Sequence, residues 1–406
     1  MKGKFDISAI NGVDIRRDGF WARLASRLVP PLVAGRLVVQ LPSGAVFDRT
    51  GAASGPEVLV CVHSWRALLR LALGGEVAFA GSYLEGEWST PDLLRFFELV
   101  MLNEKLLLTE RPRALPARLL ARLRHGWRRN TRRGSRRNIA AHYDLGNDFY
   151  KPWLDKGMTY SAALFAGNET LEEAQQNKID RIAKMLEMKG GERVLEIGCG
   201  WGALAKSLVR QNGCHVTAIT LSDEQYAFAS DRLRPETDAG MAEIRLQDYR
   251  DAEGCYDCIV SIEMFEAVGE AYWSTYFAML KQRLVEGGTA VIQVITIAEE
   301  RFDHYSRSPD FIQRYIFPGG MLPTKTHLHD LAAKAGLRIS LEFSFGEGYA
   351  KTLAEWRKRF QQAWPRLEIL GFDERFRRMW EYYLAYCETG FRAGASDVTL
   401  FQLKQA

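Results

Sequence analysis

The stretch Val194-Leu-Glu-Ile-Gly-Cys-Gly-Trp-Gly202 has the residue types and spacing to hold a ligand against bare backbone. A short apolar run ends in glycines at alternate positions, Gly198, Gly200 and Gly202, and Leu204 to Val209 then opens a helical pattern that stops near Gly213. Strand, glycine turn and helix make a nucleotide-cofactor geometry, because glycine lets the main chain approach a ligand that a Cβ would exclude. A nicotinamide oxidoreductase is the competing class, and two features argue against it. The loop reads G-x-G-x-G rather than G-x-G-x-x-G, and the second strand, His215 to Thr220, ends in Thr220-Leu221-Ser222 without the acid that would bond a ribose. Ser222 with Gln225 reads equally as a helix capping box and as cofactor contact. Gln247 and Asp248 follow the third strand, Ala242 to Leu246, where carboxyl-end loops of open sheets meet their ligands.

Such a site needs a sheet to carry it, and residues 139–406 alternate strand and helix patterns as a doubly wound α/β fold requires. Thr170-Leu-Glu-Glu173 has the form of a capping box, and the helix it starts carries Ile179, Ile182, Ala183 and Leu186 on one face before stopping at Gly190-Gly191. Further strands are expected at Cys258 to Glu263, Thr289 to Ile297, Arg338 to Phe345 and Asp397 to Leu403, which completes a seven-stranded sheet.

A chain of 406 residues exceeds what one core usually serves, so a smaller domain is expected ahead of the sheet. Residues 1–110 read as an α+β unit, with turn signals at Pro42-Ser43-Gly44 and Gly74-Gly75 and a helical pattern through Leu93, Leu94, Phe97, Val100 and Met101. Between the two, residues 111–138 hold eleven arginines and no Asp or Glu, with Leu115, Leu119, Leu120, Leu123 and Trp127 interleaved at near-helical spacing. A basic amphipathic helix of this kind suits an anionic lipid surface, where each Lys or Arg contributes ~1 kcal/mol. A solvated linker is the plainer alternative. Nucleic acid ranks behind both, since no stacking platform or nucleic-acid motif accompanies the arginines.

Hydrophobic content of 47% and charged content of 26% fit a folded globular chain, and a net charge of +4 is too small to imply nucleic acid by itself. The first ten residues lack the apolar run of a secretory signal. The most apolar stretches, Leu28 to Leu41 and Val58 to Leu73, are broken by prolines or charges before they reach bilayer length. Six cysteines without a dense framework fit free thiols in a reducing cytoplasm. Cys255-x-x-Cys258 reads as structural, because a strand follows it and no second pair completes a metal site. His327 and His329, without a partner carboxylate at metal spacing, read as structural or solvent-facing, so no metal is expected.

Five segments together carry a specific resemblance. VLEIGCGWG (Val194 to Gly202), AITLSDEQ (Ala218 to Gln225), IVSIEMFEAVG (Ile259 to Gly269), HYDLGNDFY (His142 to Tyr150) and YIFPGGMLP (Tyr315 to Pro323) look like the cyclopropane fatty acid synthase family, across essentially all of the second domain. GSYLEGEW (Gly81 to Trp88) is similar to the N-terminal extension of its phospholipid-acting members, with a sterol-carrier-like flavour. The resemblance implies a Rossmann-like class I methyltransferase domain that uses S-adenosylmethionine. The implied reaction is methyl(ene) transfer to the double bond of an unsaturated phospholipid acyl chain, through a carbocation. It implies cofactor contacts from Tyr160, Ser161 and Ile262 beside Gly198, Gly200, Gly202, Thr220, Leu221, Ser222, Gln225, Gln247 and Asp248. A cytoplasmic protein peripherally associated with the inner face of the membrane is expected, and a homodimer is compatible with it. A non-catalytic lipid carrier is the remaining alternative, against which retention of Glu266 and Tyr349 counts.

Aromatic faces stabilise a cation, and Tyr160, Phe165, Tyr315, Phe317 and Tyr349 are candidates. In the family, ring closure is attributed to a bound bicarbonate that removes a proton from the added methyl. The matching positions are Glu266 and Tyr349, as catalytic and anion residues, and Ile297 as an anion residue. Three residues depart from the pattern: Ala162 where many members have Cys, Ala267 where they have His, and Ile295 where His is usual. A buried anion needs its hydrogen-bond partners, so these departures weaken bicarbonate-assisted closure and set a methyl or methylene branch beside the cyclopropane ring as product. Drawing an acyl chain from a bilayer costs ~0.8 kcal/mol per CH2. Phe165, Phe311, Tyr315, Phe317 and Met321 are expected to wall the apolar tunnel that offsets this cost, with ordinary packing as the alternative.

Overall fold

The computed structural model describes residues 29–104 and 145–406, so the basic segment expected at 111–138 lies outside the described residues. The described residues divide into two compact units, 29–104 with Glu368–Ala393, and 145–367 with Gly394–Ala406.

In the first unit β1 (Ala34–Gln40), β2 (Val46–Thr50), β3 (Ala53–Val62) and β4 (Trp88–Ser89) form a sheet in the order β2-β1-β3-β4. Pro42-Ser43-Gly44 makes the turn between antiparallel β1 and β2, as its composition predicts. Gly74-Gly75 does not end an element: helix α1 (Trp65–Leu84) runs through it, and Gly75, at φ 66° and ψ −154°, kinks the helix instead. Because α1 extends past the Leu73 boundary read from sequence, it is by length and composition apolar enough to reach across a bilayer. Its last five residues are nevertheless buried, and Trp88 stacks on Phe79 with ring centroids 4.6 Å apart. Helix α2 (Leu93–Leu102) follows its predicted pattern, capped by Asp92.

A third described helix of this unit, Glu374–Arg392, comes from the far end of the chain. Phe97 meets Tyr382 edge-on at 4.8 Å, and Tyr83 meets the same ring at 5.6 Å. Aromatic packing therefore draws residues 368–393 out of the 139–406 block that sequence reading treats as one domain.

The second unit is built on seven strands: β5 (Arg193–Ile197), β6 (His215–Thr220), β7 (Ala242–Leu246), β8 (Tyr256–Ile262), β9 (Leu284–Ile297), β10 (Leu337–Ser344) and β11 (Ser396–Gln405). Their order is β10-β11-β9-β8-β5-β6-β7. Strands β5 to β9 pair in parallel, whereas β11 is inserted antiparallel between β9 and β10. β5 pairs with β6 on one side and β8 on the other, so the chain reverses its direction of travel across the sheet at β5, and the crevice beyond the carboxyl ends of these strands is where such sheets hold ligands. Helix α3 (Leu171–Met185) starts at Thr170, where both bonds of the capping box form with Glu173. Helices α4 (Ala203–Asn212) and α5 (Asp223–Arg232) follow β5 and β6. Helix α6 (Gly346–Ile369), which no sequence feature anticipated, follows β10, buries Trp356 and Phe360, and carries Tyr349 in its first turn.

Candidate active site

At the carboxyl end of β5 the chain turns through Gly198 (φ 80°), Gly200 (φ 52°) and Gly202 (φ 79°). The glycines differ in purpose. A Cβ on Gly200 would project into open space, whereas one on Gly202 would come within 2.6 Å of the Leu233 Cδ1 beyond α5. Gly200 thus supplies a left-handed turn beside a cavity, and Gly202 supplies close packing.

The cavity beside this loop spans about 1080 Å3, its open mouth included. Of the expected contacts, Tyr160, Ser161, Gly198, Gly200, Thr220, Leu221, Gln225, Gln247 and Ile262 line it. Gly202, Ser222 and Asp248 do not. The Ser222 side chain caps α5 by accepting from the Gln225 N–H at 3.3 Å. The reciprocal half of the box is absent, because the Gln225 side chain accepts instead from the Thr220 hydroxyl at 2.8 Å. Asp248 is committed to Arg250 through bonds of 2.8 and 2.6 Å and caps the short turn Tyr249–Asp251, and it is Tyr249 that faces the cavity.

Beyond the end of β8 stands a residue that sequence reading quoted within a motif but did not single out. Glu263 has φ 48°, a left-handed conformation that side-chain-bearing residues rarely adopt and that tends to mark functional sites. Its backbone N–H is fixed by the Gln293 carbonyl at 2.8 Å. One carboxylate oxygen accepts from the Ala162 N–H at 2.8 Å and the Gln293 amide at 2.6 Å, and the other accepts from the Tyr349 hydroxyl at 2.8 Å. Burial raises its pKa, opposed by the Ala162 N–H, the Lys178 charge and the Tyr349 and Gln293 bonds. The residue lines the cavity while its carboxylate is enclosed by these donors. A local signal was available: an acid immediately beyond a parallel strand's carboxyl end.

Glu266 lies one short turn further on. Its Oε1 accepts from the Ile295 N–H at 2.5 Å, and its Oε2 is inaccessible and has no partner. Burial, and then the neighbouring Glu263 charge, push its pKa up to about 8, so near neutral pH it is an uncharged acid. The two neighbouring carboxyl groups thus differ in surroundings: Glu263 is enclosed by three donors, whereas Glu266 keeps one buried oxygen without a hydrogen-bond partner.

The three positions expected to share an anion are therefore not equivalent. Tyr349 is already bonded to Glu263, Glu266 faces Ile295, and the Ile297 N–H is bonded to the Pro323 carbonyl at 3.0 Å. Of the departures from the family pattern, Ala162 supplies a backbone donor to Glu263 and Ala267 lines the cavity. The expected tunnel residues stand outside the cavity lining. Met321 belongs to the sheet core and its N–H bonds the Glu266 carbonyl at 2.9 Å, Phe311 is buried against Tyr315, and Phe165 and Phe317 are half-buried. His329 does meet a carboxylate, that of Glu342, and His327 completes the N-terminal cap of its helix with Thr324.

Comparison with known proteins decides the family. The family model described as mycolic acid cyclopropane synthetase matches residues 130–401. The chain belongs to this family. Among its relatives, the tuberculostearic acid methyltransferase UfaA1 of Mycobacterium tuberculosis is 40% identical over 393 residues, 93% of this chain and 90% of that protein. The cyclopropane-fatty-acyl-phospholipid synthase of Escherichia coli is 36% identical, over 82% of this chain and 84% of its own length. The crystal structure of the mycolic acid cyclopropane synthase CmaA1 complexed with SAH and CTAB superposes with a TM-score of 0.63 at 30% identity, over 66% of this chain and 98% of that one. This family member is accordingly an S-adenosylmethionine-dependent methyltransferase. Its cavity fits the cofactor: open space stands beside Gly200, and the Gln225 and Gln247 side chains line the same space.

Proposed function

We propose that the enzyme methylates a double bond of an unsaturated fatty acyl chain in membrane phospholipid and releases a methylene-branched chain, with Glu263 as the proton acceptor. The single observation that carries the reading is the Glu263 carboxylate held by Tyr349, Gln293 and Ala162. A small external anion would need these same donors, and the side chains that would replace them are gone at Ala162, Ala267 and Ile295. That these donors already hold Glu263 supports a base built into the chain in place of bicarbonate.

When bound, the cofactor supplies an electrophilic methyl on a sulfonium. Gly198, Gly200, Thr220, Gln225 and Gln247 would hold it, with Tyr160 and Ser161 lining the same cavity. Transfer of that methyl to the alkene π pair would form the new C–C bond and leave a cation on the neighbouring chain carbon. A hydride shift moves the cation to the methylated carbon. A proton of the new methyl then passes to the Glu263 carboxylate, and its electron pair forms C=CH2. Glu266, kept uncharged, adds no second negative charge beside Glu263. The Tyr160 ring, packed 5.1 Å from Trp356, presents an aromatic face at the cavity for the cation. The arginines of residues 111–138 hold the enzyme peripherally on the anionic cytoplasmic leaflet.

The greater identity to a tuberculostearic acid methyltransferase than to the Escherichia coli cyclopropane synthase supports the branch. Purified enzyme, methyl-labelled S-adenosylmethionine and monounsaturated phospholipid vesicles, with chain products compared with standards by mass spectrometry, test the reading. Methylene-branched chains are expected. Cyclopropane as the sole product would overturn the branch, and no labelled lipid would overturn the substrate.

A further inference from the structure

Lys178 is 2% exposed, although a lysine is almost never buried without a partner. It stands on α3, one turn beyond Gln175 and next to Ile179 and Ile182, and with the last two it lines the cofactor cavity. Both polar side chains of this face hold the same short segment. The Gln175 amide donates to the Ser161 carbonyl at 2.9 Å, and the Lys178 ammonium donates to the Ser161 hydroxyl at 2.6 Å. The next residue, Ala162, gives its N–H to Glu263, and Ala163 gives its own to Thr352 of α6. The segment is thereby fixed from both sides.

The charges around the ammonium point the same way. Asp155 and Glu263 are the carboxylates whose fields act on it, and Glu196 lines the same cavity. Asp155 is already engaged by the N–H groups of Gly157 and Thr159 at 2.7 Å each. Glu263 in turn faces Lys178, Glu266 and the Tyr349 hydroxyl. Burial lowers the Lys178 pKa to about 8, with Glu263 and then Asp155 opposing the shift, so the side chain is a cation at neutral pH and titrates just above it.

We infer that Lys178 is a positioning residue for the methyl transfer: through Ser161 it sets the Ala162 N–H on Glu263, and its charge keeps that carboxylate ionised as the proton acceptor. The inference rests on the proposed role of Glu263.

The test is single-turnover methyl transfer to phospholipid vesicles between pH 6 and 9.5, with S-adenosylmethionine affinity measured separately. In the parent enzyme the rate is expected to rise as Glu263 ionises, a rise that the Lys178 charge holds on the acid side. Lys178→Met removes the cation, raises the pKa of Glu263 and moves that rise to higher pH. Its rate should fall most at the acid end of the range and return toward the parent's at the alkaline end, since below its pKa the ionised fraction of a carboxyl group changes about tenfold per pH unit. Lys178→Arg, which keeps the cation, should keep the parent's profile. A purely structural role would lower the rate equally at every pH, and that result, or an unchanged profile in Lys178→Met, overturns the inference. Glu263→Gln separates the two claims. If it turns over like the parent enzyme, the Glu263 reading fails; if it is inactive while Lys178→Met shows no pH-dependent recovery, only the Lys178 inference fails.

Discussion

Replacing Glu266 by Gln should stabilise the protein, by an amount that depends on pH. A glutamate in the unfolded chain ionises near 4.5, whereas Glu266 in its fold keeps its proton up to about 8. A raised carboxyl pKa means that the folded state binds the proton more tightly, so the contribution is fully present below 4.5 and is lost progressively as pH rises toward 8. Each pH unit in that window costs about 1.36 kcal/mol. At pH 7, about 2.5 pH units above 4.5, the unfolded state has gained about 3 kcal/mol relative to a side chain that does not ionise. Gln is such a side chain. Its oxygen can accept from the Ile295 N–H as Oε1 does, and its NH2 occupies the buried place of Oε2, where the protonated acid already carries a hydrogen. Urea unfolding at pH 5, 7 and 8.5, followed by tryptophan fluorescence, checks this. The two proteins should be close at pH 5, Glu266→Gln should be the more stable at pH 7, and the gap should stop growing above 8. All other groups titrate in both proteins and cancel in the difference. Parallel curves at every pH would show that Glu266 ionises normally and would refute its place as the uncharged member of the pair.

Gly200→Ala should weaken S-adenosylmethionine binding more than it lowers the melting temperature, because its Cβ meets only open cavity, whereas Gly202→Ala should do the reverse through the 2.6 Å approach to Leu233; calorimetry and thermal melts separate the two. Asp248→Asn should destabilise the fold by about 1–3 kcal/mol by unpairing the buried Arg250, while cofactor affinity changes little, measured by denaturant unfolding and titration. Glu263→Ala should lower turnover by roughly 10²–10⁴, the usual worth of a general base. Formate should restore part of it by binding where the Glu263 carboxylate stood, against the Ala162 N–H and the Tyr349 hydroxyl.

The central strands of the second unit were legible because strands buried on both faces read as short continuous apolar runs, and the Thr170 box fixed the start of α3 by local chemistry alone. The Gly74-Gly75 pair misled because a helix held along its length by packing survives a kink that would end an isolated one. Asp248 stands at a strand's carboxyl end as its sequence position predicts, but nothing in the sequence signals that Arg250, two residues on, bonds its carboxylate.

The sequence by itself determined the parallel sheet, the glycine loop and hence the cofactor class, since each depends on a few consecutive residues. The tertiary structure decided which acid is poised for chemistry. Glu263 and Glu266 are both glutamates at the end of one strand, and their different surroundings arise from Ala162, Lys178, Gln293, Ile295 and Tyr349, which come from distant parts of the chain. A carboxyl group's charge is set by the dielectric and donors around it, and those exist only once α3, α6 and β9 have packed against the end of β8.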